Sequence, residues 1–377
     1  MTDTPTDDTP TEDPIVVTEP APAPVKKPHR LGLFGPILCL ALAFGGWSLY
    51  WFHTAGRIEK DIVTQQQGLI KAGYQVRFDP VHIAGYPYRM FAAFKNITIV
   101  SPQGRGFASP SLEAEANAYA LDKWVVVAPN GLTLYRGHGT GVDLGQLSVT
   151  GRSLKASVSG LNKPIYNVAL QGVGLKLVAT DPAHPFAFDS AELFEAYLRP
   201  AVNAPATETD SADMLIRLNG AHGQPGSTVG DVSPDVPLSL HVEGTVSHMS
   251  AFTGKDFTES LNAWKFSEGQ VSGFKGKLTA GDLNLFATSD KLSLDLRRHL
   301  EGQMTFELSG SVNPIGILGT LRLISKEDVA LASPLITMAL TTPGIQTKLG
   351  TQKFTLDFRD GSAYIGPIKL SDTPVLP

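Results

Sequence analysis

Cysteine is almost absent from this sequence: among 377 residues there is one, Cys39, inside a long apolar run and preceded by Leu38 rather than the small residue a lipidation site requires. The rest of the chain therefore has no disulfide, no thiol nucleophile and no cysteine ligand for a metal. Catalytic signatures are missing too. There is no G-x-S-x-G elbow, no H-E-x-x-H helix and no P-loop. The nine histidines are scattered, and the nearest strand pair, His241 and His248, is seven residues apart, an odd spacing that sets the two on opposite faces. The run Gly137, His138, Gly139, Thr140, Gly141 has the glycine content of a phosphate loop. A strand pattern follows it instead of a helix N-terminus, so it reads as a turn. We expect no catalytic residue, no metal and no cofactor.

An excess of base is also lacking. The tail of residues 1–23 carries six acids and no base, and outside it 30 acids face 31 bases. Phosphate binding needs clustered Lys and Arg, so nucleic acid is not an expected partner. The tail, rich in Thr, Pro, Asp and Glu, reads as a solvated leader extending to about residue 30.

Residues 31–52 contain no charge, and the run is long enough to span a hydrocarbon layer of roughly 30 Å as a helix. Lys26, Lys27 and Arg30 precede it and the first base after it is Arg57, which predicts a cytoplasmic N-terminus and an exported remainder, residues 53–377. Trp47, Tyr50 and Trp51 stand at its outer end as an interfacial belt. The competing reading is a cleaved signal peptide at Ala41, Leu42, Ala43; the apolar run continues well past that site and favours an uncleaved anchor.

Beyond the anchor, residues 54–71 show a helical pattern that stops at Gly73. From there the period falls to two. Alternating runs are predicted at 111–121, 125–128, 132–135, 145–159 and 168–179, then again after Pro237, through Leu283, Leu285 and Ala287, Leu292, Leu294 and Leu296, and Met304, Phe306 and Leu308. Residues 200–212 and 220–237 are looser and mark a subdomain boundary or long hairpin loops. Two helices are expected at 315–324 and 327–341, and a closing hairpin turns at Asp360-Gly361. Trp264 is expected as a core anchor.

The segment Gly85-Tyr86-Pro87-Tyr88-Arg89 is either a rigid turn with packed tyrosines or a groove mouth meeting lipid headgroups. Together with Ala72-Gly73-Tyr74, Ala263-Trp264-Lys265 and Gly269, the run 292–296 with Glu301-Gly302, and Asp360-Gly361 with Gly366-Pro367, it resembles the domain-of-unknown-function family 2125. Lys265 stands where that pattern has Arg, and Glu268 where it has a second glycine. The ending is similar to AsmA-like envelope proteins, and that resemblance implies a long curved sheet carrying lipid in an apolar groove.

The expected fold is mainly β: one N-terminal transmembrane helix, then an elongated, curved antiparallel sheet, taco-like or sandwiched, with a few helices. A meander with one oily face must cover it with helices, a second sheet or a ligand. The expected function is a protein anchored in the bacterial inner membrane that binds or carries lipid, phospholipid being one candidate, in an apolar β-sheet groove on the periplasmic side and contributes to envelope homeostasis. Leu283, Leu285, Leu292, Leu294, Leu296, Met304, Phe306 and Leu308 are the groove candidates, and Tyr86, Tyr88 and Arg89 the mouth. The alternative is a non-catalytic scaffold docking another envelope protein.

Overall fold

The computed structural model describes residues 31–139, 142–163, 165–202, 210–252, 257–310, 319, 323, 347–348 and 351–375. Within these, helix α1 (Leu31–Lys71) runs unbroken through the apolar segment and the amphipathic one after it. The chain divides into two units inside α1, the first ending at Leu49 and the second running from Tyr50 to the C-terminus. In the first unit the apolar side chains stand exposed, Leu40 and Leu42 among them; α1 is long and apolar enough to cross a membrane. In the second, Trp51, Thr54 and Ala55 are buried and Ile58 and Ile62 half-buried, one stripe at helical spacing.

The rest is an antiparallel sheet. Strands β1 (Gln75–Arg77) and β2 (Ile83–Ala84) pair with β3 (Arg89–Val100), and β3 pairs with β4 (Arg105–Asn117). The second half of β4 pairs with β5 (Ala120–Val127) and its first half with β6 (Leu132–Arg136). A small hairpin, β7 (His138–Gly139) with β8 (Val142–Asp143), occupies the glycine-rich turn. Then β9 (Gln146–Thr150) pairs with β6, and β10 (Ser153–Ser159) with β5; both lie against β11 (Asn167–Ala179). The run expected over 145–159 is thus two strands, interrupted at Gly151 and Arg152.

From β11 the sheet is a plain meander through β12 (Ser190–Pro200), β13 (Ala212–Ala221), β14 (Leu238–Val246), β15 (Val271–Ala280), β16 (Leu283–Leu294) and β17 (Leu300–Ser309). Strand β18 (Thr347–Lys348) pairs with β19 (Thr351–Arg359), β19 is the next neighbour of β17, and β20 (Ser362–Ile365) and β21 (Ile368–Asp372) end the sheet. The loose stretches at 200–212 and 220–237 connect neighbouring strands of this sheet. The second holds a short helix, α2 (Thr228–Val232), capped by the Ser227 hydroxyl accepting from the Gly230 amide at 3.0 Å. The helices expected at 315–324 and 327–341 lie outside the described residues, apart from Gly319 and Leu323.

An unanticipated helix, α3 (Phe257–Phe266), lies between β14 and β15. Trp264 on it is buried and donates its indole N–H to the Ser247 carbonyl at 2.7 Å, closing the end of β14. Gly269 is needed beneath it, because a Cβ there would collide with the Trp264 ring.

Candidate functional site

Residues paired directly across antiparallel strands point to the same side of the sheet, so the register defines rows. One row starts Ile83, Ala92, Ala114, Val126, Ala156 and Leu170 and continues Ala196, Ile216, Val242, Gly276, Ala287, Phe306 and Phe354. No polar side chain interrupts it. A parallel row runs Met90, Ala116, Trp124, Val158, Val168, Leu198 and Met214, and a third runs Leu154, Gly172, Phe194, Leu218, Leu240, Leu278, Leu285 and Leu308.

This apolar face is covered at both ends. At the first, Met90, Ala92 and Ile83 are buried where α1 is fastened to the sheet. At the other, Phe306, Phe354 and Leu356 join one core with Val229 of α2, and Phe186, Phe188 and Leu323 pack on it. Between them, on β5 and β10 to β14, Val126, Ala156, Val158, Val168, Ala196, Leu198, Met214, Ile216 and Val242 are half-buried, and Leu170 is 42% exposed. There the face is half-open.

The sequence candidates fall mostly elsewhere. Leu283, Leu285, Leu292, Met304, Phe306 and Leu308 lie on β16 and β17, facing as the alternation predicts, but each is buried, 1 to 6% exposed. Leu294 is half-buried at the end of β16. Leu296 departs from the expectation: β16 ends before it, and it projects from the following turn, 81% exposed. Asp295 shapes that turn by accepting from the amides of Arg297 and His299 and from the His299 ring. The half-open stretch, in contrast, draws on β12, β13 and β10, whose side chains the alternation alone did not single out.

The opposite face is polar. Lys155, Gln171, Glu195, Arg217, His241 and Lys277 form a row directly behind the first apolar row. Glu195 is buried and accepts from Gln171 at 3.1 Å, Tyr197 at 3.0 Å and Arg217 at 2.9 Å. Burial pushes its carboxyl toward protonation, and the three donors outweigh that, holding it below its ordinary range; the same contact raises the Tyr197 phenol. A cavity of 550 Å³ lies on this face beside Tyr197, Arg199, Asp213, Glu243 and Lys275. Its charges are matched, Arg199 with Asp213 at 3.3 Å and Lys275 with Glu243 at 3.1 Å.

At the mouth residues both sequence readings meet. Tyr86 stacks on Phe52 and packs edge-on to Trp51 at 5.4 Å, as a packed tyrosine. Tyr88 is 69% exposed, and Arg89 pairs with Glu115 at 2.7 Å. Trp51 donates its indole N–H to the Arg89 carbonyl at 3.0 Å and Tyr50 its hydroxyl to the Ala118 carbonyl at 3.1 Å, so this turn clamps the helix to the sheet.

Among the described residues there is no group of three or more His, Cys, Asp or Glu side chains able to hold a metal. No curated protein and no solved structure matches the chain. Residues 51–374, most of the 377-residue chain, match the family described as an uncharacterized protein conserved in bacteria (DUF2125), and the chain belongs to it.

Proposed function

We propose that this member of the family is a non-catalytic envelope protein, held in the bacterial inner membrane by α1 with its sheet on the periplasmic side, and that it carries the acyl chain of a lipid on the half-open stretch of its apolar face. The observation that supports this reading most is the unbroken apolar row from Ile83 to Phe354, covered at both ends and half-open over β5 and β10 to β14, with a second apolar row beside it as far as Met214. Such a surface is costly to leave to water, and each methylene laid on it contributes about 0.8 kcal/mol. Nothing on that face selects a headgroup, so specificity would come from its rim. The absence of charge in residues 31–52 and the bases at Lys26, Lys27 and Arg30 support the orientation.

A scaffold that docks another envelope protein is the second reading, and the filled core on β16 and β17 favours it. The two differ in one measurement. Native mass spectrometry of the full chain, extracted in mild detergent and washed, should show a stoichiometric phospholipid, reduced in Leu170→Glu. A folded wild-type protein that is free of lipid would sink the carrier reading in favour of the scaffold.

A further inference from the structure

The turns of the sheet lie at two edges, and exposed apolar side chains gather at one. That edge holds the turns β2 to β3, β4 to β5, β10 to β11, β12 to β13, β14 to β15 and β16 to β17, as the register shows. Its tips are Tyr88, Tyr119, Tyr166, Val202, Phe266 and Leu296, between 46% and 81% exposed. At the other edge, among the described residues of the turns β3 to β4, β13 to β14 and β15 to β16, Val236 at 39% is the one large apolar side chain exposed, and Val178 at 65% stands at the end of β11 there. Water-facing hairpin turns are usually polar, so one-sided placement of this kind marks a surface that meets something other than water.

What it meets is indicated by α1. Its clamp, Trp51 to the Arg89 carbonyl and Tyr50 to the Ala118 carbonyl, lies at this same edge, beside Tyr88 and Tyr119. Further along α1, the Glu59 carboxylate accepts from the Ile83 amide at 2.8 Å, and beyond the helix β1 pairs with Thr98, Ile99 and Val100 at the opposite edge. The helix thus enters the sheet at the edge that carries the tips. Around Phe266 and Leu296 there are also cations: Lys265 lies 4.6 Å over the Phe266 ring and donates to the Leu296 carbonyl, and Arg297 and Arg298 follow. Asp295, Glu301 and Asp360 line the same pocket as Lys265 and Arg297, and Glu268 follows α3, so the cations act locally and not as a uniform basic field. Aromatic and aliphatic tips beside Lys and Arg match the headgroup boundary of an anionic bilayer.

We infer that this edge is a membrane-docking rim, and that Tyr88, Tyr119, Tyr166, Phe266 and Leu296 dip into the headgroup layer of the bilayer that α1 crosses, with the half-open apolar stretch behind Tyr119 and Tyr166. The inference rests on the reading of α1 as a membrane span. Sheet twist turns successive hairpins relative to one another, so the tips are tested one at a time.

The test uses the full chain with Cys39→Ser, reconstituted in phosphatidylethanolamine and phosphatidylglycerol vesicles and labelled with bimane at a single introduced cysteine. Phe266→Cys and Leu296→Cys probe the rim, Gln103→Cys and Val236→Cys the opposite edge, and Leu42→Cys the span. Lipids carrying a doxyl quencher near the headgroup should extinguish fluorescence at the rim positions and leave the opposite edge bright, and lipids carrying it deep in the acyl chain should extinguish the Leu42→Cys label. Bright rim positions with a quenched Leu42→Cys label would overturn the rim while leaving the span standing, and would assign the tips to a protein partner. A bright Leu42→Cys label would overturn the span, and the rim with it.

Discussion

Two leucines that look alike in the sequence, Leu170 and Leu285, differ by what lies over them: one is 42% exposed and the other 5%. A charge at position 170 is therefore tolerated by the fold, and Leu170→Glu should change unfolding free energy by less than about 1 kcal/mol while releasing bound lipid. Phe306→Ala, at 1% exposure in the packed end, should cost about 3–5 kcal/mol in a denaturant titration. Equal costs at the two positions would mean that the half-open stretch is core. On the polar face, Glu195 has its folded pKa below the unfolded value, so its contribution to stability is complete above the ordinary 4.5 and is lost as pH falls through the folded value. Glu195→Gln should lower stability at neutral pH by about 1–3 kcal/mol, with the gap to the wild type closing as the solution is acidified. A gap that stays constant with pH would contradict the assignment. Strand alternation identified which side Leu285 and Phe306 face. It could not identify which were covered, because the cover comes from distant segments such as Phe186, Phe188 and Val229.

Among the elements, α1 carries the clearest mechanical consequence. Its Trp51 is buried, donates to the Arg89 carbonyl, and packs on Phe52 and Tyr86. Trp51→Ala should cost about 3–5 kcal/mol if the junction folds with the sheet, and should raise amide exchange selectively at residues 83–92. Unchanged exchange there would show that the helix and the sheet are not fastened at this point. The sequence made α1 legible through its uncharged run and its helical stripe, and the long strands β4 and β11 through their alternation. It concealed β12, whose Ala, Glu and Leu residues have helical propensity; pairing with both β11 and β13 overrides that preference. It concealed α3 for a different reason: Trp264 is the buried core anchor expected, but the sequence reading did not show that its indole reaches the Ser247 carbonyl from a short helix. The exposed turn at Leu296 was read as strand because Leu292, Leu294 and Leu296 keep period two, and only the amides gathered by Asp295 end the strand before it.

At the scale of the molecule, the meander gives a single sheet whose longest apolar row runs across thirteen strands, with a polar and charged row of six residues behind its middle. The mainly β architecture and its polarity were legible because both follow from a period of two. The place where the apolar side opens was not, since it depends on where α1, α2 and the 186–188 segment stop covering it. The central claim is that this opening holds an acyl chain. Its most direct test is photocrosslinking of the full chain in phospholipid bilayers with a phosphatidylethanolamine bearing a diazirine on its acyl chain, followed by mapping of the modified peptides. The account predicts adducts on β10 to β13, at Ala156, Leu170, Ala196 and Ile216, in addition to those within residues 31–52. Adducts confined to residues 31–52 would contradict it.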